Sequence, residues 1–252
     1  MLDGEVARGG VNEVERRGQL VLRPVGSWTP AVHRLLRRFE EAGFAGAPRA
    51  HGVDADGRER LDFVPGVVAG FPLPPQLRGD DVLVAFARLL RAAHDASVPL
   101  ASSPGPWFLP GRPPAEVVCH GDCAPYNTVV RDGVPVALID WDTAHPGPRL
   151  WDVAYAAYRW APLVSPLNAE GFGSAGERRR RALVLVAGYG LDVTFEALCE
   201  AAADRLDAMV GLLRARAASG DAAFAAHVAR GDDVLYERDA AWLRRADPPQ
   251  GR

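Results

Sequence analysis

The residues of this chain best suited to chemistry lie between Val117 and Asp142. An apolar strand ending at Cys119 delivers His120, Gly121 and Asp122 into a loop, and Asn127 follows five residues after Asp122. Asn127 opens a strand over 127–131, Asp132-Gly133 turns the chain, and a return strand over 134–140 ends at Asp140, with Asp142 two residues on. Antiparallel pairing brings the end of the second strand back beside the start of the first. Asn127 and Asp140 therefore approach each other although 13 positions separate them. With Asp122 on the adjoining loop, this assembles two or three oxygen ligands of the hard type Mg2+ prefers and leaves room for phosphate oxygens. One carboxylate stays free to take a proton. Phosphoryl transfer needs such an arrangement, because its catalysis is mostly positioning and charge neutralisation. One Asp orients the attacking hydroxyl, while an Asn and a second Asp hold metal on the phosphates.

Duller readings apply to several neighbours. His120 reads as a structural histidine under the loop rather than an acid or base. Asp142 suits metal contact and simple loop support equally. Cys119 and Cys123 flank His120, but no second ligand pair stands at metal spacing, so they read as small core residues. Asp192, Glu196, Glu200 and Asp204 follow one another at i+4 steps and form one acidic helix stripe. Such a stripe would favour a cationic acceptor if it lay near the acceptor site; a solvated helix face is the plainer account. The run Glu177-Arg178-Arg179-Arg180-Arg181 reads as a helix start beside solvent.

The elements that must position these groups follow from periodicity. Val11–Arg16 and Leu20–Val25 are strand-like around Arg17-Gly18. A helix over 30–42 has Thr29 as N-cap, Pro30 at its first position and an apolar stripe of Val32, Leu35, Leu36 and Phe39. Strands over 49–54 and 58–64 follow. Residues 65–78 hold four prolines and two glycines and read as a connector. A helix spans 80–96, with Leu83, Phe86, Leu89 and Leu90 toward a core. Beyond 150 the pattern is helical, over 150–159, 177–189, 194–217 and 221–245, with a Pro/Gly-rich loop at 161–174. The expected organisation is 1–64, a small antiparallel sheet with one helix; 65–78, a connector; and 79–252, a larger, mainly helical part.

Composition excludes several classes. Formal net charge is −3 and pI about 6.1, so no global basic field points to nucleic acid or anionic membrane. No apolar run is long enough to span a bilayer, so no membrane partner is expected. The first ten residues lack a signal-peptide pattern, and three cysteines suit a reducing compartment, so a cytoplasmic location is expected. All 29 basic residues are Arg, which removes every mechanism that needs an ε-amine.

His120-Gly121-Asp122, Asn127 and Ile139-Asp140-Trp141-Asp142, with Leu150-Trp151-Asp152 after them, together resemble the aminoglycoside phosphotransferase/choline kinase family. That resemblance implies an α+β, protein-kinase-like bilobal fold. It implies a kinase using Mg2+ and ATP or GTP, Asp122 as base, Asn127 and Asp140 as metal ligands, and Asp152 bracing the catalytic loop. Gly9-Gly10 resembles the family's glycine-rich turn over the nucleotide. Leu20–Arg23 resembles the third strand, with Arg23 in place of the phosphate-contacting Lys. The helix over 30–42 should then supply a Glu to orient that cation, yet register puts His33 or Leu35 there, with Glu40 and Glu41 a turn or more later. Leu61–Gly66 resembles the hinge, so Asp62, Phe63 and Val64 would meet the purine. The partner so implied is a small-molecule hydroxyl acceptor, an antibiotic or a metabolite. A nucleotide-binding module without turnover, and nucleotidyl transfer on the same fold, are the alternatives.

Overall fold

The computed structural model describes residues 6–8, 13–166 and 171–245; Gly9 and Gly10 lie outside these. The chain forms two compact units, Met1–Asp152 and Val153–Arg252. The first begins with β1 (Val6–Arg8), β2 (Glu13–Arg17), β3 (Leu20–Pro24), α1 (Thr29–Glu41), β4 (Ala50–Val53) and β5 (Arg58–Asp62). The five strands form one antiparallel sheet in the order β1-β2-β3-β5-β4. In β5 burial alternates: Glu59 and Leu61 point inward while Arg58, Arg60 and Asp62 do not.

The stripe expected on α1 is the one that packs: Val32, Leu35, Leu36 and Phe39 are all buried. The cap differs from expectation. Thr29 is the first helical residue, behind Trp28, and its hydroxyl accepts from Gly26 N at 2.9 Å, bracing the entering loop.

The remainder of this unit holds β6 (Val67–Val68), α2 (Asp80–Ser97), β7 (Val117–Cys119), β8 (Thr128–Arg131), β9 (Val134–Leu138) and β10 (His145–Gly147). Two of these strands depart from the sequence reading. The connector 65–78 contains β6, which pairs with β8, and a short 3-10 turn at Pro75–Leu77. His145–Gly147 pairs with β7 although His-Pro-Gly reads as a turn.

The second unit is helical. It takes most of α3 (Arg149–Trp160), then α4 (Ala175–Tyr189), α5 (Phe195–Ala218), α6 (Ala222–Ala229) and α7 (Asp232–Leu243). The single helix expected over 221–245 is two, because Gly231 adopts φ +81°, a left-handed conformation that stops the helical ladder. Tyr158 donates to Asp239 Oδ2 at 2.9 Å, and Ser165 N donates to its Oδ1 at 2.8 Å, so this buried carboxylate is satisfied.

One surface reading is corrected in this unit. In the run 177–181, Arg178 and Arg181 are buried, three positions apart on one helix face, and donate to backbone carbonyls; Arg179 and Arg180 stay outside. The acidic stripe lies on an exposed face, the plainer account given above, and Arg244 pairs there with Glu200 at 3.2 Å, Asp204 at 2.7 Å and the neighbouring Asp207 at 2.7 Å. Among the described residues no helix is long and apolar enough to cross a membrane.

Candidate active site

β7 and β10 are joined antiparallel, with His145 opposite Cys119. Immediately after β7 the chain must turn sharply. Gly121 does so at φ +83°, and a Cβ there would collide with Thr143 O. Asp152, at the start of α3, holds this turn. Its Oδ2 accepts from His120 N and Oδ1 from Gly121 N at 3.0 Å, while His94 Nε2 lies 3.1 Å from Oδ2. Asp152 is fully buried. Burial alone would raise its carboxyl, but the His94 bond and the neighbouring imidazoles win and hold it far below the usual carboxylate range. Asp152 thus ties the turn after β7 to the start of α3 by hydrogen bonds. Cys119 lies near His94 and Asp152, all within 4.8 Å of one another, but Asp152 already serves these three donors.

His120 is buried against Trp141, ring centroids 4.4 Å apart. Its Nδ1 accepts from Asp122 N at 3.2 Å, which puts the proton on Nε2, where the acceptor is Ile139 O at 3.0 Å. Both nitrogens are committed to backbone partners.

The loop then presents Asp122, half-buried. Tyr126 Oη donates to its Oδ1 at 2.7 Å, and Asn127 Nδ2 donates to its Oδ2 at 2.9 Å and to its backbone oxygen at 2.9 Å. The Asn127 amide nitrogen is spent on Asp122, so its oxygen is the end available to a ligand. The hairpin does what its spacing predicts. Thr128 faces Leu138 across β8 and β9, and one step further Ile139 N donates to Asn127 O at 2.9 Å. Asn127 is therefore joined through the backbone to the residue preceding Asp140. Asp140 takes a left-handed backbone, φ +62°, which Asp tolerates better than most residues, and its carboxylate is 51% exposed.

Arg23 on β3 faces this pair. Its Nε donates to Glu59 Oε1 at 2.7 Å, one terminal nitrogen to Asp140 Oδ1 at 2.8 Å and the other to Asp142 Oδ1 at 2.6 Å. His33 Nε2 lies 3.3 Å from the second oxygen of Glu59. Leu35, the other residue at the expected helix position, is in the core; Glu40 and Glu41 pair with surface arginines, at 3.6 Å and 3.7 Å. Burial alone would raise the Glu59 carboxyl, but His33 and Arg23 together hold it below its ordinary value. Burial pushes the Asp142 carboxyl up to about 6, with Asp140 and Glu59 adding to the effect and Arg23 opposing it. One guanidinium set against three carboxylates leaves two negative charges uncompensated at neutral pH, an environment that attracts a cation.

Asp62, Phe63 and Val64 lie apart from this group. Asp62 Oδ1 is 2.6 Å from His51 Nε2, Arg16 stacks over Phe63 at 3.7 Å, and the amides of Asp62 and Phe63 donate to Arg49 O and Gln19 O. The three line a cavity of about 310 Å³ with Leu36, Phe39, Phe44 and Arg131, a wall that contains none of Arg23, Asp122, Asn127 and Asp140.

Sequence reasoning missed Glu59 and Tyr126. The signal for Glu59 was present: an acid sharing the inward face of a strand with Leu61 needs a buried partner. Tyr126 had no such signal.

The sequence profile of the phosphotransferase enzyme family matches residues 23–184, from Arg23 through the whole of the site described above. A relative, the trifolitoxin immunity protein of Rhizobium leguminosarum bv. trifolii, is 38% identical over 194 residues, covering 73% of this chain and 72% of that protein. Two solved structures are similar along most of the chain. A candidate aminoglycoside phosphotransferase from Ralstonia eutropha JMP134 has TM-score 0.62 and 15% identity, covering 96% of this chain and 92% of that one. A choline/ethanolamine kinase family protein from Mesorhizobium loti has TM-score 0.57 and 17% identity, covering 96% and 92%. At these identities the structures speak for the fold, which is the protein-kinase-like α+β fold expected from the sequence. With a family profile spanning more than half its length and a relative of this identity, the chain belongs to the phosphotransferase enzyme family.

Proposed function

We propose that this protein transfers the γ-phosphoryl group of ATP or GTP to a hydroxyl of a small molecule, an antibiotic or a hydroxylated metabolite. Asp122 is the general base. Asn127 and Asp140 hold Mg2+, with Asp142 beside them, and Arg23 contacts phosphate. Residues 1–64 form the nucleotide-binding part, with Asp62, Phe63 and Val64 beside the purine.

One observation carries this reading. Asp122 is hydrogen-bonded to Asn127, whose backbone is bonded to the neighbour of Asp140, so base and ligands share one frame. A hydroxyl already donates to Asp122 Oδ1 at 2.7 Å, that of Tyr126, which is the contact an acceptor hydroxyl needs. The donors fit Mg2+: an amide oxygen, an exposed carboxylate and surplus negative charge. When bound, the ion neutralises charge on the β- and γ-phosphates. The rest falls to the chain: Asp122 accepts the acceptor's proton, Asn127 fixes that carboxylate, and Arg23 supplies fixed positive charge.

The test is a mass-spectrometric acceptor screen with ATP or GTP and Mg2+, run on the wild type and Asp122→Ala. A gain of about 80 Da in an acceptor, absent with the variant while nucleotide binding persists, is the expected result for phosphoryl transfer. A far larger gain means nucleotidyl transfer. Undiminished phosphorylation by Asp122→Ala removes the assignment of the base. The pairing of Arg23 with both Asp140 and Asp142 favours a second reading, a nucleotide-binding module that shields its target without turnover. Mg2+-dependent nucleotide binding with no product from any acceptor would select it.

A further inference from the structure

We infer that Glu59, on strand β5, is the positioning residue that orients Arg23 toward the nucleotide phosphates, and that α1 has given up this task. The inference rests on the proposed phosphate role of Arg23.

Arg23 and Glu59 face each other in the register of β3 and β5, and both are almost fully buried. Glu59 uses both its oxygens. One accepts from Arg23 Nε at 2.7 Å, the other lies 3.3 Å from His33 Nε2. The bond is made at Nε, on the stem side of the guanidinium, so both terminal nitrogens remain directed at Asp140 and Asp142. That edge faces the proposed metal ligands and hence the phosphates. α1 offers no acid in reach: its only carboxylates, Glu40 and Glu41, pair with Arg49 and Arg38 at the surface. Helix α1 contributes the His33 ring instead. A clamp made from two adjacent strands is fixed by the sheet ladder itself and keeps its geometry if the helix shifts.

The placement of His33 supplies a decisive test. A carboxylate at position 33 would enter the space beside Glu59, so His33→Glu combined with Glu59→Gln moves the acid from strand to helix without removing it. The proteins compared are wild type, Glu59→Gln, the double variant and Glu59→Asp. Two quantities are measured on each, with thermal melting as the fold control. The first is the 15N NMR signal of the Arg23 Nε–H in the free protein, assigned by its loss in Arg23→Lys. The second is the Kd for ATP with Mg2+ by calorimetry.

A buried charge-assisted bond protects its proton from exchange with water. The wild type should therefore show a slowly exchanging Arg23 Nε–H, and Glu59→Gln should lose that protection. Nucleotide affinity should fall about 10- to 100-fold in Glu59→Gln, the range expected when a hydrogen bond to a charged group is lost. Both should recover by about tenfold or more in the double variant. Glu59→Asp should show intermediate affinity, and keeps the test open if Glu59→Gln does not fold. A merely structural role would lower the melting point without rescue from position 33. Retained protection and unchanged affinity in Glu59→Gln overturn the inference, as does a double variant no better than the single one. If the wild type shows the protected proton but binds no nucleotide, the proposed function fails and the pairing of Glu59 with Arg23 stands.

Discussion

Asp152→Asn is the perturbation whose cost can be worked most directly from the structure. The native carboxylate is fully buried and serves three donors: the backbone amides of His120 and Gly121, and His94 Nε2. The best orientation of an asparagine places its oxygen at Oδ2, keeping His120 N and His94. Its amide nitrogen then faces Gly121 N–H, donor against donor. A buried donor left unsatisfied costs about 1–3 kcal/mol. The two surviving bonds lose their charge assistance, which removes about 1 kcal/mol more in all. Removing a buried charge brings no compensating gain, because the depressed pKa of Asp152 means that the folded site prefers the anion to the neutral acid. The net loss is about 2–4 kcal/mol against a typical total of about 5–15 kcal/mol, so the variant should fold but unfold at lower urea. Urea unfolding at pH 7, followed by the fluorescence of Trp141 and Trp151 in the same unit, measures it. Asp95→Asn, at an exposed ion pair with Arg91 and Arg149, is the control and should stay within about 0.5 kcal/mol of wild type. A loss under about 1 kcal/mol for Asp152→Asn would mean that the loop does not depend on this carboxylate, and the account of how Asp122 is positioned would be wrong.

Two further outcomes follow from the same geometry. Gly121→Ala must place a Cβ against Thr143 O at φ +83°, so it should cost more stability than Gly231→Ala, where φ is +81° but no atom lies within 4 Å. The Gly231 change carries only the conformational cost, about 1–2 kcal/mol, and melting curves separate the two. The second concerns acid. Asp152 and Glu59 both have depressed carboxyls, so the unfolded chain binds their protons first. Their contribution is complete above the ordinary carboxylate range, about pH 4–5, and falls away as pH drops below it. Asp142, raised to about 6, has the opposite sign: its contribution is present below the ordinary range and is lost as pH rises through 6. The melting temperature of the metal-free protein should therefore peak near pH 4–6. Asp142→Asn should flatten the slope above the peak, and Asp152→Asn the slope below it; a slope unchanged by its variant would refute that attribution.

Much of the site was legible because its parts are close in sequence or joined by a hairpin. Asp132-Gly133 announces the turn, alternation sets the strands, and together they bring Asn127 next to Ile139 and Asp140. The α1 stripe was readable for the same local reason. What sequence did not yield depends on distant partners. β10 pairs with β7 across 26 positions and is spelled His-Pro-Gly, which has the composition of a turn. Arg244 pairs with Glu200 and Asp204, two acids of the α5 stripe some 40 residues earlier, a partner that spacing along the helix does not reveal. The buried Arg178 and Arg181 donate to backbone carbonyls, which leave no trace in residue types. The split at Gly231 was visible as a glycine, but helix-forming neighbours on both sides outweighed it.

The arginine at position 23 and the absence of an acid on the inner face of α1 are one structural solution. Lysine carries its charge only at the tip of its stem, so an acid that orients it must come from an element facing the tip, the place the sequence resemblance gives to the helix. Arginine branches earlier. Its Nε lies beside the stem, within reach of a residue directly opposite on the neighbouring strand, while the two terminal nitrogens extend beyond it. Arg23 uses this fork in full, with Glu59 behind and Asp140 and Asp142 in front. Once arginine occupies the third strand, a helix-borne Glu would compete with Glu59 for the same buried cation and leave one carboxylate unpaired, a costly state in a space this closed. A neutral-capable ring such as His33 fills that position without adding a fourth negative charge, so the departure that looked like a missing catalytic part is the expected companion of the arginine.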